Sequence, residues 1–572
     1  MRILILGGYG TFGGRLARLL VDEPRVELLI AGRSIAKAES FRRDLLVAAS
    51  ATAAQMQACV FDRDADVEKQ LARISPDLVV DATGPFQEYG DDPYRVVKAA
   101  IKLDINYLDL ADASGFVDGI AAYDTAARQA GVYVLSGVSS FPVLTAAVVR
   151  RLAVGMTRIT GVEGGIAPSP YAGVGLNVIK AISSYAGKPV KLVRDGRMLT
   201  GVGLVETRRR TICPPGQLPL KSTLFSLVDV PDLRALPSLW SSLESVWMGA
   251  GPVPEILHRA LIGLSWLVSR RLIPTLLPFA GLFYRAINLL RWGEHRGGMY
   301  VDVIGRDSSG RDLRRSWHML AEGDHGPLIP SMAVEAIVRR CLEGRVPTAG
   351  ARSGATDLEL EDYERLFEKR EIHSGCWESN GDGTHRSSAP VPPLYRRMLG
   401  DAWDQLPKPI RMIHDIGGSS RMTGLADVAR GRNLIARLIA AIFRFPAAGT
   451  QIPVSVEFRQ DEGSEIWIRD FAGEQFRSIQ SEGRGRNERL LVETFGPFRF
   501  SLALVAEGLK LHLVTRRWSL FGVPLPPAWA PTGDSFETVI DDRFHFHVEI
   551  RHPICGLIVR YAGWLTRSAG TS

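Results

Sequence analysis

The chain has 572 residues, of which 46% are hydrophobic and 23% are charged, and it carries a formal net charge of +7. This composition excludes wholesale disorder, and the length is too great for one ordinary domain and suits two to four. The basic balance favours acidic partners such as a phosphorylated cofactor or an anionic membrane surface. A nucleic-acid partner is not favoured, because the arginines are dispersed and no motif of a nucleic-acid reader is present.

The five cysteines lie far apart and form no CxxC or Cys/His ligand spacing, so neither a disulfide framework nor a metal site is predicted. The N-terminus enters directly into a predicted strand and has no secretory signal pattern. The apolar run from Leu272 to Tyr284 has 13 residues, whereas a membrane span needs roughly 20. We therefore expect a cytoplasmic protein.

Residues 1–155 alternate short apolar runs with amphipathic stretches. The runs are RILILGG, VELLIAGR, QACVFD, DLVVDATG, NYLDLA and VYVLSG. Unbroken apolar runs of this length are expected for strands buried on both faces of a sheet. The pattern predicts an α/β fold, namely a Rossmann-like, doubly wound parallel sheet.

Directly after the first predicted strand, GGYGTFGG fits the spacing GxGxxG at the start of an amphipathic helix. One glycine allows the tight turn, one lets the backbone approach a pyrophosphate, and one lets helix and strand pack closely. A purely structural glycine turn is the alternative, but the strand, the helix and the repeating βα context favour dinucleotide binding. The predicted cofactor-binding residues of this turn are Gly7, Gly8, Tyr9, Gly10, Thr11, Phe12 and Gly13.

The end of the second predicted strand indicates which dinucleotide binds. NAD-preferring domains have an acid there that holds the ribose 2′-hydroxyl, whereas this chain has Ala31-Gly32-Arg33-Ser34, followed by Lys37. A guanidinium, a hydroxyl and an ammonium can hold a 2′-phosphate, and no carboxylate is present to repel it. We predict NADP (NADPH) as the cofactor; the alternative is that Arg33 is a solvated loop residue.

Two further strand ends are predicted to lie beside the cofactor. Asp62 ends the third strand, where an acid can accept from the adenine amino group or cap the following helix. Thr83, Gly84 and Pro85 end the fourth strand, at the carboxyl edge where ligands bind in open α/β sheets. We expect these three residues beside the phosphates and the nicotinamide.

Residues 156–372 are predicted to form an α+β substrate or dimerisation domain that returns to the nucleotide domain. GMYVDVIG and RDLRRSWHMLAEG flank a cluster of turn formers and predict a hairpin. Pro330 begins an amphipathic helix, and Thr356 or Asp357 is the predicted cap of the next helix. The apolar stretches LIGLSWLV and LIPTLLPFAGLFY are interpreted either as a helical core element or homodimer face, or as a surface for a lipid-like molecule.

The remaining chain is predicted to be a linker, residues 373–392, followed by a C-terminal domain, residues 393–572. The linker is rich in Gly, Ser, Pro and Asn. The domain begins with helices and then becomes rich in strands; the alternation in FHFHVEI is typical of a half-buried strand. We expect a meandering antiparallel sheet packed on helices.

GGYGTFGG, AGRS, DATGPFQEYG, NYLDLADASGFV and SGVSSFPVLTAAVV, in this order, resemble the saccharopine dehydrogenase-like NADP-binding oxidoreductase family. WHMLAEGDHGPLIPSMAVEAIVRRCLEG is similar to the segment by which that family returns to its nucleotide domain. PPLYRRMLGDAWDQLP, RRWSLFGVPLP and HPICGLIVRYAGWL are similar to a bacterial domain of unknown function that accompanies such reductases. The resemblance implies an oxidoreductase fold over roughly the first 370 residues and no chemistry for the rest.

No catalytic constellation of the Ser-His-Asp or Tyr-x-x-x-Lys kind is visible. The candidates are Asp109 and Asp112, which follow the fifth strand, and His325, which could donate a proton to a reduced substrate. Asp112 could instead cap a helix, and His325 could be an inert loop residue. In this fold the hydride chemistry belongs largely to the cofactor.

The sequence therefore predicts an NADP-dependent oxidoreductase that acts on an unidentified small, lipid-like molecule. The alternative is a non-catalytic NADPH-binding protein whose C-terminal domain binds a lipid or a protein. Leu434, Leu438, Ile439 and Ile442 can share one side of a basic amphipathic helix. Such a helix can lie in a headgroup region, which predicts peripheral contact with the inner face of a membrane; the alternative is that it packs into the protein core.

Overall fold

A computed structural model of the chain describes residues 1–48, 53–380, 392–416, 419–461 and 463–567. The chain divides into two compact units. The first unit contains Met1–Arg208, Leu224–His373 and Ser379–Gly381. The second unit contains Arg209–Thr223, Ser374–Glu378 and Asp382–Ser572.

The first unit begins with six strands that alternate with helices. The strands are β1 (Arg2–Leu6), β2 (Glu27–Gly32), β3 (Gln55–Val60), β4 (Leu78–Asp81), β5 (Asn106–Asp109) and β6 (Tyr133–Ser136). The helices are α1 (Thr11–Leu20), α2 (Ile35–Ala48), α3 (Val67–Ile74), α4 (Arg95–Lys102), α5 (Ser114–Gly119), α6 (Asp124–Gln129) and α7 (Thr145–Leu152).

These strands form a parallel sheet in the order β3-β2-β1-β4-β5-β6. The central strands are apolar because both of their faces are covered; Ile3, Leu4 and Ile5 of β1 are completely buried. The order reverses between β1 and β4, and in such sheets ligands bind outside the carboxyl ends of the strands at this point. The predicted doubly wound sheet is confirmed.

A second, mixed sheet follows. Its elements are β7 (Arg158–Ala167), α8 (Leu176–Tyr185), β8 (Pro189–Arg194), β9 (Arg197–Val202), β10 (Thr207–Arg210), β11 (Thr223–Leu227), α9 (Asp232–Leu239), β12 (Ser245–Ala250), α10 (Glu255–Ser269), α11 (Ala280–Leu289), β13 (Arg296–Arg306) and β14 (Asp312–Glu322). Strands β10-β11-β12-β7-β13-β14 are neighbours in this order, while β8 and β9 pair separately. β13 and β14 form the predicted hairpin, in which Tyr300 lies opposite His318.

The chain then returns to the parallel sheet. The returning elements are α12 (Ile329–Leu342), β15 (Gly350–Ser353) and α13 (Leu360–Phe367). Strand β16 (Ile372–Asn380) follows them and belongs to the mixed sheet. Ser331 of α12 donates a hydrogen bond to the carbonyl oxygen of Phe12 in α1 (3.1 Å), and β15 pairs in parallel with β6. The sheet of the nucleotide domain therefore has a seventh strand that comes from far along the chain.

Two local expectations in this region are wrong. Neither Thr356 nor Asp357 caps α13, because Glu359 occupies the N-cap and forms a reciprocal capping box with Asp362. The predicted linker 373–392 begins with regular structure, because β16 continues to Asn380. The part of that linker at residues 381–391 lies outside the described residues.

The second unit consists mainly of antiparallel strands. Its helices are α14 (Leu394–Leu399), α15 (Ala402–Gln405), α16 (Lys408–His414) and α17 (Leu434–Ile442). Its strands are β17 (Ser419–Arg430), β18 (Gly449–Asp461), β19 (Ser464–Phe471), β20 (Glu474–Glu482), β21 (Leu491–Phe495), β22 (Phe498–Glu507), β23 (Lys510–Leu520), β24 (Val523–Pro524), β25 (Ser535–Ile540), β26 (Arg543–His552) and β27 (Gly556–Arg567).

Ten of these strands close into a barrel. The order is β22-β21-β20-β19-β18-β17-β27-β26-β25-β23, and β22 also pairs with β23. Inward positions recur every second residue, as Val454, Val456 and Phe458 of β18 show. The predicted antiparallel sheet with helices is confirmed, and its closure leaves a cavity of about 200 Å³ inside.

Candidate functional site

The glycine turn lies at the carboxyl ends of β1 and β4, where the strand order of the parallel sheet reverses. Gly7 has φ +70°, which L side chains rarely adopt, and a Cβ on Gly7 would lie 2.9 Å from the carbonyl oxygen of Ala82. A Cβ on Gly8 would lie 2.9 Å from the carbonyl oxygen of Ile5. Helix α1 begins directly afterwards with Gly10 as an N-cap that has no side-chain hydrogen bond.

This geometry fits the diphosphate of a dinucleotide. The first amide groups of α1 have no partner within the helix, and the helix dipole favours an anion at this end. A Cβ on Gly10 would lie 3.0 Å from the carbonyl oxygen of Gly7, and one on Gly13 would clash with the same oxygen. The glycines therefore keep the turn compact and leave backbone amides as the recognition groups. Leu16, Leu19 and Leu20 of α1 are buried, and Phe12 is half-buried.

The cations predicted at the end of β2 are available to a ligand. Arg33 and Lys37 are exposed, and neither forms an ion pair with any described residue. The Tyr9 ring lies against Gly32, and its hydroxyl accepts a hydrogen bond from the Ser34 amide (3.1 Å). Tyr9 thus links the glycine turn to the loop that carries Arg33.

Asp62 follows β3 and holds its own loop. Its carboxylate accepts from the Asp64 amide (3.0 Å), whereas the cap of α3 is Asp66, which accepts from the Lys69 amide (3.0 Å). The alternative that Asp62 caps the following helix is therefore wrong. Its contact with an adenine stays a prediction.

Part of the second domain reaches over the glycine turn. Arg15 of α1 donates to the carbonyl oxygen of Ala172 (2.7 Å), and Asn177 at the start of α8 donates to that of Gly84 (2.7 Å). A Cβ on Gly175 would lie 2.8 Å from the Thr11 hydroxyl oxygen. Residues 172–177 and the ends of β1 and β4 thus form the two sides of one cleft.

Two buried acids lie side by side at the ends of β4 and β5. Asp81 accepts from the Thr83 hydroxyl (2.6 Å) and amide (3.0 Å) and from the Tyr89 hydroxyl (3.2 Å). Burial raises the pKa of Asp81, while Thr83, Arg63 and Tyr89 counteract that rise. The Thr83 side chain is therefore engaged in a hydrogen bond with Asp81. Gly84 and Pro85, the next two residues, lie at the cleft.

Asp109 is completely buried. Its Oδ1 atom accepts from the amides of Ala111 (3.0 Å) and Gly137 (2.8 Å) and from the Ser136 hydroxyl (3.0 Å). Burial raises the pKa of Asp109 to about 7, although these hydrogen bonds oppose the rise and Asp81 adds to it. This catalytic candidate therefore connects the loop after β5 to the end of β6 through the hydrogen bonds that its carboxylate accepts.

A pocket of about 370 Å³ opens beside these acids. Aromatic side chains surround it, with ring centroids 4.6 Å apart for Phe86 and Tyr89 and 4.7 Å apart for Tyr94 and Phe116. Neither Lys nor Arg is among the described residues that line it. The pocket is suited to an apolar or uncharged molecule, because no Lys or Arg is among its described lining residues to bind a carboxylate or phosphate. The guanidinium that lies nearby, that of Arg63, is stacked on the Tyr89 ring with its Cζ atom 3.4 Å from the ring centroid.

The polar side chains that line the pocket are one acid, three phenols, two hydroxyls and one amide, namely Asp229, Tyr89, Tyr94, Tyr185, Ser114, Ser184 and Gln87. Ser114 donates to Asp229 (2.6 Å), and Gln87 donates to Asp112 (3.2 Å). Although the Asp112 side chain is exposed at the cleft, the surrounding protein raises the pKa of its carboxyl, and Asp229 adds to that rise. The pKa of Tyr185 is raised by burial and by the charges of Asp112 and Asp229.

These polar groups were only partly predictable. Asp112 was a candidate, and the structure shows that it is not a helix cap, because the N-cap of α5 is Ala113. Ser114, Tyr185 and Asp229 were missed, since they come from three separate segments and fit no motif. Asn177 was missed for the same reason.

The third catalytic candidate, His325, lies before α12. Its Nδ1 atom accepts a hydrogen bond from the Glu371 amide (3.1 Å), so this ring nitrogen is used to hold a loop. His325 is not among the residues that line the aromatic pocket. Among the described residues, no group of three His, Cys, Asp or Glu side chains is arranged to hold a metal ion.

The apolar stretches of the first unit are exposed on α10, α11 and the turn before α11. The exposed side chains are Ile256, Trp266, Leu272, Leu277, Phe279, Leu282, Leu289 and Leu290. The interpretation of these side chains as a helical core is therefore wrong. In the described ranges, no helix combines the length and the apolar character that crossing a membrane would require.

Helix α17 of the second unit also exposes apolar side chains, namely Leu434, Ile435, Leu438 and Ile442. Ile439 does not share this exposed side as predicted, because it lines the cavity of the barrel. Arg432, Arg437 and Arg444 are exposed and form no ion pair with the described part of the chain.

Two family models match the chain. Residues 3–135 match the saccharopine dehydrogenase NADP binding domain, and residues 406–565 match a domain of unknown function, DUF4166. The resemblance predicted from the sequence motifs is confirmed in both parts, and the N-terminal part is a nicotinamide-dinucleotide-binding domain of the oxidoreductase type. A comparison with curated proteins finds no match.

Several solved structures are similar to the chain. Saccharopine dehydrogenase (L-Glu forming) from Saccharomyces cerevisiae has 13% identity and a TM-score of 0.46, covering 66% of this chain and 99% of its own. A mutant meso-dapdh with DAP from Clostridium tetani E88 has 12% identity and a TM-score of 0.32, with coverages of 64% and 98%. Biliverdin reductase from Synechocystis sp. PCC 6803, in complex with biliverdin and NADP+, has 12% identity and a TM-score of 0.28, with coverages of 64% and 96%.

Proposed function

We propose that this chain, whose N-terminal part is a saccharopine dehydrogenase-like NADP-binding domain, is an NADP-dependent oxidoreductase acting on a small, uncharged, lipid-like molecule. The observation that carries the choice of cofactor is the pair of unpaired cations, Arg33 and Lys37, at the end of β2. No acid stands beside Arg33 in the sequence AGRS to hold a 2′-hydroxyl. A 2′-phosphate would give both cations a partner.

The chain's own residues would hold the cofactor along the sheet edge. The amides of Gly8 and Gly10 already donate to carbonyl oxygens of Ala31 and Gly7, so amides at the start of α1 would bind the diphosphate, while Arg33, Ser34 and Lys37 would bind the 2′-phosphate. Thr83, Gly84 and Pro85 would flank the nicotinamide end. When bound, NADPH supplies the hydride.

The aromatic pocket supports the choice of substrate class. It lies beside the end of β4 and offers no Lys or Arg among its described lining residues. A substrate with several carboxylates, such as saccharopine, would place them near Asp112 and Asp229 without a Lys or Arg among the described lining residues to compensate them, which is unfavourable. An uncharged molecule with one reducible carbonyl or carbon–nitrogen bond avoids this cost.

We favour Asp112 among the catalytic candidates as the group that moves a proton. It accepts from Gln87, which lines the pocket, and its raised pKa brings the carboxyl closer to the range in which an acid can donate. Asp109 is enclosed by backbone amides, and His325 already accepts from the Glu371 amide. Both are better explained as positioning residues.

The test is NADPH oxidation by the full chain with a panel of medium-chain aldehydes and ketones and, in the oxidative direction, NADPH formation from NADP+ with saccharopine, whose secondary amine can only be oxidised. We expect turnover with an uncharged carbonyl compound and none with saccharopine. Tight NADPH binding with no turnover for any substrate would favour the non-catalytic alternative. Turnover with saccharopine would contradict the assignment of the pocket.

We further propose that the exposed face of α10 and α11 contacts the anionic inner face of the membrane. Arg270, Arg271 and Arg285 lie within or beside this face and form no ion pair with the described residues. Apolar side chains entering the headgroup boundary, together with cations near anionic lipids, favour peripheral attachment. Helix α11 also packs on α8, which carries Tyr185 of the pocket.

Vesicle flotation tests this contact. The parent chain should float with phosphatidylglycerol vesicles at low salt, and Leu282→Glu should reduce the floating fraction several-fold, because a charge on this face opposes burial. Val154→Glu is the matched control, since Leu282 and Val154 are 63% and 67% exposed in the same unit. No flotation of the parent chain would overturn the proposal; a dimer in sedimentation experiments, disrupted by Leu282→Glu, would assign the face to a homodimer instead.

A further inference from the structure

The barrel of the second unit encloses a cavity of about 200 Å³. Most of its wall is formed by Phe, Val, Leu and Ile side chains that alternate along the strands, and by Ile439 and Phe443 from α17 and its end. An apolar cavity of about 150 Å³ in another protein stays dry and binds small apolar molecules. This cavity is larger and is lined mainly by strands of a closed sheet, an arrangement that in small barrels can hold one small ligand.

One charged cluster at the wall contains the lining residues Arg469, Gln480 and Glu493 together with Ser478 behind them; Glu537 and Glu549 are further charged residues of the lining. Arg469 donates to the Ser478 hydroxyl (2.8 Å) and to Oε1 of Glu493 (3.2 Å). The same Oε1 atom accepts from Ser478 (2.7 Å) and from Gln480 (3.1 Å). Arg469 and Glu493 are each only 11% exposed, so the pair is held rigidly against the cavity.

This cluster determines which polar group a ligand can carry. The charge of Arg469 is compensated by Glu493, so a ligand carboxylate would be a buried anion without its own cation. The second oxygen of Glu493, Oε2, receives no hydrogen bond from the described residues. A ligand hydroxyl could donate to it, which a carboxylate or a plain hydrocarbon could not do.

A second polar pair faces the cavity farther along the wall. Glu537 lines the cavity, and its Oε2 atom is 2.6 Å from Nε2 of His414. The His414 ring stacks on Tyr395 with centroids 3.6 Å apart. The Oε1 atom of Glu537 receives no hydrogen bond from the described residues either. Glu493 is the better-fixed acceptor for a ligand hydroxyl, because three donors hold its other oxygen.

We propose that the cavity is a binding site for an uncharged amphiphile, a medium-chain alcohol with its hydrocarbon chain among the apolar side chains and its hydroxyl at Glu493. The site lies within the second unit and uses no residue of the nucleotide domain. It therefore goes beyond the proposed oxidoreductase activity, and its occupancy is measured without NADPH.

The experiment is calorimetric titration of the full chain with 1-decanol and, separately, with decanoate. We expect decanol to bind with a negative heat-capacity change, which accompanies burial of apolar surface. Decanoate should bind at least about tenfold more weakly. No heat with either probe overturns the proposal, and equal or tighter binding of decanoate overturns the assignment of the polar end.

Two variants test the location. Leu513 lines the cavity, whereas the next residue, Val514, is 37% exposed and is not part of the lining. Leu513→Trp should fill the cavity and weaken decanol binding at least about tenfold, while Val514→Trp should stay within about twofold of the parent. Should Leu513→Trp fail to fold, Leu502→Phe places a smaller addition in the same wall. Unchanged decanol binding in a folded cavity-filling variant contradicts the proposal.

Discussion

The glycine turn and the barrel cavity are two ligand-sized spaces built in opposite ways. In the turn, recognition groups are backbone amides, and the side chains at Gly7, Gly8 and Gly13 must be absent because carbonyl oxygens stand within 3 Å of a Cβ. In the barrel, recognition comes from side chains at alternate positions of ten strands. A site built from backbone amides should therefore lose ligand binding completely when a Cβ is added to one of its glycines. A cavity lined by side chains should instead lose affinity in proportion to the volume that a substitution fills.

Gly10→Val should have the largest effect. The added branched side chain would stand at the start of α1, where a Cβ already lies 3.0 Å from the Gly7 carbonyl oxygen and the diphosphate must approach. We expect NADPH binding to be abolished, as measured by the enhancement of NADPH fluorescence, while decanol binding to the barrel is unchanged.

Gly263→Val is the matched control, because a Cβ at Gly263 meets nothing within 4 Å. This variant should bind NADPH as the parent does. If Gly10→Val also retained parental binding, the glycine turn would not be the dinucleotide site, and the contrast between a backbone site and a side-chain site would fail.

Arg33→Ala should have an intermediate effect. Arg33 would contact the cofactor through its side chain, although the rest of that site is built from backbone amides. Its removal should therefore reduce NADPH affinity without abolishing binding. We expect NADPH affinity to fall about tenfold to a hundredfold while NADH affinity stays nearly constant, because only NADPH has the 2′-phosphate. Calorimetry of both cofactors measures the change.

Arg43→Ala provides the comparison for a general loss of charge. Arg43 is an exposed arginine on α2 without an ion pair among the described residues. An equal loss of NADPH affinity in both variants would mean that long-range charge, and not a contact at Arg33, selects the cofactor.

Asp109→Asn should have the smallest effect on ligand binding and a measurable effect on stability. The folded pKa of Asp109 is about 7, above the unfolded value of about 3.9. The folded state therefore holds its proton more tightly, and this contribution to stability is present at low pH and lost as the pH rises toward 7. In the parent, urea unfolding should give lower stability at about pH 8 than at about pH 5.

The asparagine variant should reduce that difference by on the order of 2 kcal/mol. Its side-chain oxygen can still accept from Ala111, Ser136 and Gly137. Asp232, whose pKa burial also raises to about 7, remains in the variant and should leave a residual slope of the same sign. If the free energy of unfolding of Asp109→Asn depended on pH as it does in the parent, Asp109 would have the same pKa in the folded and unfolded states.

The nucleotide side was predictable from sequence because its requirements are local. GGYGTFGG fixes a turn within a few residues, and Arg33 follows a strand whose end is visible as the last residue of an apolar run. Helix caps were less predictable, since Asp62 and Asp66 are equally suitable by residue type and only the path of the chain selects Asp66.

The substrate pocket and the barrel could not be derived in this way. Ser114, Tyr185 and Asp229 meet only after the second domain has folded against the first sheet. Alternation predicted the C-terminal strands, and β22 and β23 form a local hairpin. The pairing of β17 with β27, which joins Met422 to Arg567 and is needed to complete the barrel, depends on tertiary packing. The cavity therefore has no signature in any single stretch of the sequence.

The seventh strand of the parallel sheet, β15, has a consequence for how the protein is made. Its partner β6 leaves the ribosome early, yet Gly350 to Ser353 appear only after strands β7 to β14 have been synthesised. Until then β6 is an unprotected edge whose free backbone groups can pair with another nascent chain. A fragment that ends soon after β6 would keep that edge permanently, so a recombinant nucleotide domain needs α12 and β15 supplied with it.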